Sequence, residues 1–552
     1  MFKALLLALL IALALQGIEP KASLVAGGSP LKGSSNVDGL DGGSAAFAMQ
    51  QRAMHAEMLR GVVGQIVGRP PGQRISLRRK PQQSHCPRPH AYKNNSLQID
   101  LSSFTQVMSL KSIESALVDD GTGAVKVPEK FKAYMGKSAG DVSSVAEVQA
   151  MVNMEQLVDA LLPYKLVPLC VPEFKGITAG GAIQGLAAES TSFKFGFFHD
   201  TVLGFEAVLC DGSVLWCSDC SNRELFHSLP GSFGSIALIT RVKLLCMRAD
   251  DYILLRCIPR EGARSCLQLF KQLQDEHCSG RYNRESDRTV FAEGFGFSES
   301  NYCAVLGHFA SSGLLETPQG ARRLEISTCS RPGDLWFFNL VRSVMAATNS
   351  RRGAELPEPF LLMPTKEYLF RHDRGAFWMA SYRIPQQVGK YMGGLLDSSS
   401  MFQLATALPM VFPKSQICLQ DFMLPRENCE LFIHKLQHKL QLFPLWLLPM
   451  RNLRERRAVF SSPDTRSHLC NVGAYGIPRN KYSFARDNRA LEKILHEGNG
   501  RKVYYSHNYY DRDFFYNELY DGKRYFALRD KYKVRGCLPE IFDKIATVGD
   551  AL

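Results

Sequence analysis

The chain has 552 residues, 45% of them hydrophobic and 22% charged, with a formal net charge of +13. That length exceeds one ordinary hydrophobic core and predicts two folded domains. The basic balance suits nucleic acid, an anionic lipid surface or an anionic cofactor. There is, however, no zinc-finger spacing, no RNA-recognition motif and no long Lys/Arg block. The densest basic run, Arg451 to Arg457, reads as a solvated face, so nucleic acid is set aside.

In chain order, Lys3 precedes uninterrupted apolar residues from Ala4 to Leu15. This is short for a spanning helix and suits a signal or membrane-anchor segment over residues 1–25. Residues 26–57, rich in Gly and Ser between Gly27 and Gly43, read as a flexible linker. The first folded domain is expected over 58–250, with a polar insertion at about 119–144, and the second over 251–552. Short strands are expected at Arg74–Arg79 and Leu97–Leu101, and a longer one at Ala146–Met151. Asn153 then caps a helix whose apolar stripe is Leu157, Val158, Leu161 and Leu162, and Leu166–Val171 is the next strand.

Thr178 to Ser190, TAGGAIQGLAAES, follows. Gly180, Gly181 and Gly185 allow a close approach to a ligand, and Thr178, Ala179, Ala182, Ala187 and Ala188 keep the surface low. Free N–H groups there can face phosphate or ring oxygens. The stretch reads either as a cofactor floor or as a glycine-rich turn. As a floor, Ile183, Gln184, Leu186, Glu189 and Ser190 join it. Downstream, Leu203, Phe205, Ala207 and Leu209 alternate as in a strand, Asp211-Gly212 marks a hairpin, and Val214–Cys217 returns. A short helix at Arg223–Ser228 leads to a second glycine corner, Gly231 to Gly234, and a strand at Ile236–Leu245. The fifteen cysteines are scattered and odd in number, which predicts mostly buried thiols. Cys217 and Cys220 form a lone CxxC, and His85, Cys86 and His90 are bracketed by prolines, so no metal is expected.

From Ala146 to Leu245 the order is strand, helix, strand, T-x-G-G floor, serine cluster (Ser190, Thr191, Ser192), E-x-V-L-x-D-G hairpin and G-S-x-G corner. It resembles the PCMH-type FAD-binding domain of the vanillyl-alcohol oxidase superfamily. Within that superfamily the chain is similar to the Delta(24)-sterol reductase (Diminuto/Dwarf) family. The likeness runs through Gly68-Arg69-Pro70, Val171-Pro172-Glu173, Arg371-His372, Gln420-Asp421, Pro444-Leu445-Trp446, Gly473-Ala474-Tyr475-Gly476 and Leu538-Pro539-Glu540.

The resemblance implies an α+β fold, with a two-subdomain PCMH-type FAD-binding domain followed by an α+β substrate (cap) domain. It implies non-covalent FAD on Thr178 to Ser190, with Ser232 and Gly234 as further contacts. It also implies NADPH as electron donor and an oxidoreductase acting on the side-chain CH–CH double bond of a desmosterol-like sterol. With the N-terminal segment, it implies an endoplasmic reticulum or other secretory-pathway membrane surface. Tyr475, Asp421 and Tyr509 are the candidate proton sources, because they titrate and lie in matching motifs. The Gly68–Gly72 loop, where a phosphate loop is expected, carries Pro70 and Pro71 in place of N–H donors, and Arg69 would compensate by charge. The alternatives are a sugar-lactone or alcohol oxidase on the same fold, a reductase that also isomerises the sterol side chain, and a non-enzymatic binding protein.

Overall fold

The computed structural model describes residues 45–78, 91–117, 123–136, 138–280, 287–315, 325–349, 360–392, 396–407, 417–453, 467–480 and 482–547. The apolar Ala4–Leu15 segment and the His85, Cys86 and His90 group lie outside them. Among the described residues no helix is long and apolar enough to cross a membrane.

The first structured element corrects one expectation. Residues 45–57, expected as linker, belong to a helix, α1 (Ala45–Val67). Ala, Met, Leu and Gln favour the helix, but its apolar stripe is too weak to stand out from the sequence. Val62 and Ile66 anchor it in a small core with Ile75, Ile99 and Phe104. A parallel pair follows, β1 (Ile75–Leu77) and β2 (Leu97–Ile99).

The first domain is built on an antiparallel sheet of β3 (Val107–Ser112), β4 (Val142–Gln149), β5 (Leu166–Pro168), β6 (Val202–Val208), β7 (Val214–Ser218) and β8 (Leu238–Arg248). Its order is β3-β4-β8-β6-β7, with β5 also on β8. Asn153 caps α2 (Met154–Leu161) through a full capping box, and Leu157, Val158 and Leu161 are buried as the stripe requires. Thr178 to Gln184 form a short helix, α3 (Ala179–Gln184), in place of an open loop.

The second domain is an eight-stranded antiparallel sheet. Its strands are β9 (Tyr252–Glu261), β10 (Phe291–Gly296), β11 (Asn301–Ala310), β12 (Phe360–Pro364), β13 (Cys418–Pro425), β14 (Leu445–Met450), β15 (Leu469–Gly476) and β16 (Arg501–Lys502). They are ordered β12-β9-β11-β10-β14-β15-β13-β16. Helices α4 (Gly262–Ser279), α5 (Cys429–Leu440) and α6 (Phe484–Glu497) supply Phe270, Leu436 and Leu491 to a core with Phe422, Leu447 and Val472. The α+β class is as expected.

After β16 the chain returns to the first domain. Tyr520 Oη donates to Gly231 O at 3.4 Å. Arg529, on α7 (Gly522–Lys531), donates to the carbonyls of Ser235 and Leu538. A disulfide joins Cys210 to Cys537, 327 residues apart. The last helix, α8 (Ile541–Ile545), lies against the glycine corner. Structurally, then, the final part of the expected 251–552 domain completes the first one. The other described cysteines are free, and most are buried. No group of three metal-type ligands occurs among the described residues.

Candidate active site

The two sheets enclose a cavity of about 250 Å³. Its first wall is α3 and the turn after it, with Gly181 exposed to the cavity. Gly180 is required by packing, because a Cβ there would lie 3.0 Å from the Ala150 Cβ. The helix forms because Thr178 caps it, its Oγ1 accepting from Gly181 N at 3.2 Å. This corrects the expectation of free amides. Ala179 N and Gly180 N bond to Val152 O and Ala150 O, and Ala182 N bonds to Thr178 O. The floor therefore offers a low, smooth surface rather than a row of donors. Thr178, Gly180, Gly181, Ala182, Gln184, Gly185, Leu186, Ala187 and Ala188 line the cavity. Ala179, Ile183, Glu189 and Ser190 are buried behind it.

The opposite wall comes from three neighbouring strands of the second sheet. Side chains alternate along a strand, so Leu419, Asp421 and Met423 of β13, Trp446 and Leu448 of β14, and Asn471 and Tyr475 of β15 face the cavity together. Asp421 stands opposite Gly473 in register. The Tyr475 ring lies over Gly473, where a Cβ would come within 2.6 Å of its Oη. From there Tyr475 Oη donates to Asp421 Oδ1 at 2.5 Å. Tyr505 Oη donates to Oδ2 at 2.8 Å, and Asn471 Nδ2 to Oδ1 at 2.6 Å. Burial raises the Asp421 carboxyl above its ordinary value, against these three donors. Burial and the neighbouring Asp421 raise the phenols of Tyr475 and Tyr505 well above theirs.

Glu173, on the segment between β5 and α3, faces the same cavity from the first domain. Burial, then repulsion from Glu189 and Asp421, pushes its carboxyl up to about 8. It is therefore protonated at neutral pH. The sequence marked Glu173 only as part of a matching motif. Its acidity depends on its surroundings in the folded cavity, including Glu189 and Asp421, which no local pattern reports. Tyr505 and Asn471 were missed for the same reason.

A buried ionic network lies behind the cavity. Arg371 Nη2 holds Glu189 at 2.9 Å, its Nε holds Glu293 at 2.6 Å, and its guanidinium stacks 4.1 Å over Tyr368. Glu293 also accepts from Trp446 Nε1 at 2.8 Å and meets His372 Nε2 at 2.9 Å. Despite burial, Arg371 and His372 keep Glu293 well below the usual carboxylate range. Burial and Arg371 lower His372 below the usual imidazole value. The His372 ring stacks on Phe377 at 4.1 Å. Phe377, Ala376, Leu186 and Phe233 all hold positive φ, and all line the cavity. Left-handed backbone at these four non-glycine residues is a strain of the kind many functional sites carry.

Some expected site residues lie elsewhere. Tyr509 packs beside Phe484 and under Arg489, and it does not line the cavity. Arg69 donates to the carbonyls of Ile66 at 2.5 Å and Cys210 at 2.8 Å, so it braces α1 and the hairpin. Gly68 to Gly72 likewise do not line the cavity. The β1–β2 connection, beginning at Leu77 and Arg78, borders it instead.

The residues fit a flavin dinucleotide. A broad apolar slot has a glycine floor, and Ser232 Oγ is fully buried at the adjoining corner without a hydrogen-bond partner. An orphaned hydroxyl at that position calls for a polar ligand. Phe233 lines the cavity, and Gly234 has φ +69° with room beside it only as far as Gln184 Oε1, 3.0 Å from a built Cβ.

Comparison with known proteins agrees. Residues 84–218 match the FAD-binding domain family. The Delta(24)-sterol reductase of Macaca fascicularis is 26% identical over 412 residues, covering 73% of this chain and 74% of that protein. The Arabidopsis thaliana Delta(24)-sterol reductase is 24% identical over 424 residues, 72% of each chain. By sequence this chain is a distant relative of the Delta(24)-sterol reductases. The similarity to these reductases extends well past the flavin domain into the second sheet. A VAO-type flavoprotein from Myceliophthora thermophila shares the fold, with TM-score 0.51, 12% identity, and coverage of 86% of this chain and 75% of that one.

Proposed function

We propose that this chain is an FAD-dependent reductase of the side-chain double bond of a sterol, drawing electrons from NADPH. The observation that carries the reading is one cavity with a glycine floor on one side, an apolar and aromatic wall on the other, and the acid Glu173 between them. The resemblance to Delta(24)-sterol reductases supports the substrate class. The N-terminal apolar segment supports work at a membrane surface, where such a substrate resides.

An isolated alkene has no carbonyl to stabilise developing charge, so a proton must be delivered as hydride arrives. Bound FAD, once reduced by NADPH, would supply the hydride. α3 would hold the cofactor on its smooth face, and the Ser232–Gly234 corner would hold a polar part of it. Glu173 holds a proton at neutral pH and delivers it from its carboxyl to the less substituted alkene carbon. Positive charge then develops at the tertiary carbon, where the cavity-lining rings of Phe377 and Trp446 stabilise it.

Tyr475 orients Asp421 rather than acting as the acid. Burial and the Asp421 carboxyl 2.5 Å away hold its phenol well above its ordinary value, so it keeps its proton. Two carboxyls with separate duties follow from their different surroundings.

The test is an anaerobic NADPH titration of the FAD-loaded full chain, followed by a sterol carrying a side-chain double bond. Bleaching of the flavin absorbance and its sterol-dependent recovery are expected. Bleaching that the sterol does not reverse would refute the substrate.

A further inference from the structure

The C-terminal segment occupies a position that the reading above leaves unused. From Val534 to Ile545 it is tied at several points to elements that border the cavity. Cys537 is bonded to Cys210 at the tip of the β6–β7 hairpin. Its carbonyl accepts from Ile75 N of β1 at 2.8 Å, and β1 runs directly into the cavity-lining pair Leu77 and Arg78. Seven residues on, Lys544 is buried and donates from Nζ to Gly234 O at 3.0 Å. The same Nζ lies 5.3 Å from the ring centre of Tyr92, in the connection between β1 and β2. A Cβ built on Gly234 would meet Gln184 Oε1 at 3.0 Å and Lys544 Nζ at 3.4 Å. A buried cation from the far end of the chain thus stands at the corner where Ser232 Oγ has no partner.

We infer that this segment is a disulfide-held clasp on the cofactor site, with Lys544 binding an anionic group of FAD beside Ser232, so that opening the Cys210–Cys537 bond weakens FAD binding. The inference rests on the FAD half of the proposed function and is independent of the sterol. The chemistry is plain. A small-molecule dithiol gives up two electrons and two protons, is itself oxidised to a cyclic disulfide, and leaves two cysteine thiols. What loosens is the covalent tether. The hydrogen bonds of Cys537 O and Lys544 then hold the segment without it.

The test uses the full chain. FAD affinity is measured by flavin fluorescence, before and after dithiol treatment, in the parent and in Lys544→Ala, Lys544→Arg, Cys210→Ser and Cys537→Ser. Non-reducing peptide mapping is run on the parent, and thermal melting without FAD controls for folding. A linked Cys210–Cys537 peptide is expected. Dithiol should weaken FAD binding several-fold in the parent and leave both serine variants, already weakened, unchanged. Lys544→Ala should lose about tenfold or more, the scale of one charge-assisted contact, and Lys544→Arg should recover most of it.

Free thiols at both positions, unchanged affinity in Lys544→Ala, or a dithiol effect that persists in the serine variants would each overturn the clasp. A parent that takes up no FAD would overturn both the clasp and the proposed function. A parent that binds FAD with these responses but ignores the sterol would overturn only the substrate and leave the clasp standing.

Discussion

Glu173 and Asp421 come from different domains and meet at one cavity, and their contacts separate their roles. Asp421 receives three donors, two of them phenols that keep their protons. Burial and two nearby carboxylates push Glu173 up to about 8. Its folded value therefore stands above its ordinary 4.5. The associated stability is fully present below 4.5 and is lost as pH rises through the window to about 8. Glu173→Gln removes the titration. Relative to the parent, this variant should gain up to about 1.4 kcal/mol per pH unit across that window. Melting curves at a series of pH values read the difference, and a constant offset between the two proteins would contradict the assignment. In turnover, the same variant should slow sterol-dependent flavin reoxidation by about a hundredfold or more and leave NADPH-driven bleaching intact. Equal slowing of both half-reactions would mean that Glu173 only supports the fold.

At the scale of elements, the site depends on a register between strands that are remote in sequence. Tyr475 reaches Asp421 by lying across Gly473, the residue directly opposite Asp421. Gly473→Ala places a methyl within 2.6–2.9 Å of three atoms of that tyrosine, so the ring must leave its place over the strand. We expect a destabilisation of about 1–3 kcal/mol from overpacking. Slower sterol reduction should accompany it, with FAD affinity unchanged because α3 is untouched. Titration of FAD and measurement of sterol turnover on the same preparation separate the two effects, and a loss of FAD binding would show that the walls are not independent.

Most strands of the first domain were legible in the sequence, but β3 was not, and β4 begins at Val142, inside the stretch expected as an insertion. Alternation marked β6, Asp211-Gly212 marked its hairpin, and Asn153 marked the start of α2. The glycine stretch was legible as a floor, but its helical form was not recognised. The signal was Thr178, an N-cap type just ahead of a short run of small residues. The Gly473 notch, the Asp421 cluster and the acidity of Glu173 could not be read, because each is created by pairing or burial across the fold. The Cys210–Cys537 link falls in the same class, since nothing local distinguishes those two thiols from the others.

At the scale of the whole molecule, one hydrophobic core runs from the first sheet through to the second, taking in Val145 and Leu244 on one side and Phe295, Trp446 and Tyr475 on the other. Arg371 is a buried polar link across it. Glu189 leaves the end of the floor, Glu293 sits on β10, and one guanidinium satisfies both, with side-chain exposures of 1%, 3% and 0% for Arg371, Glu189 and Glu293. At that burial the pair cannot be treated as a surface bridge. Removing the cation strands two carboxylates in a low-dielectric interior, a change that costs about 3–5 kcal/mol. Glu293 also holds the Trp446 indole, so the cavity wall should loosen with it. Arg371→Met is therefore expected to lower the melting temperature sharply. Adding Glu189→Gln and Glu293→Gln should recover part of the loss, because neutral amides no longer require the cation. The arginine is thus more than a rivet, since with His372 it holds the Glu293 carboxyl well below the usual range. A variant that melts like the parent, or a triple variant no better than Arg371→Met alone, would show that packing rather than this network joins the domains.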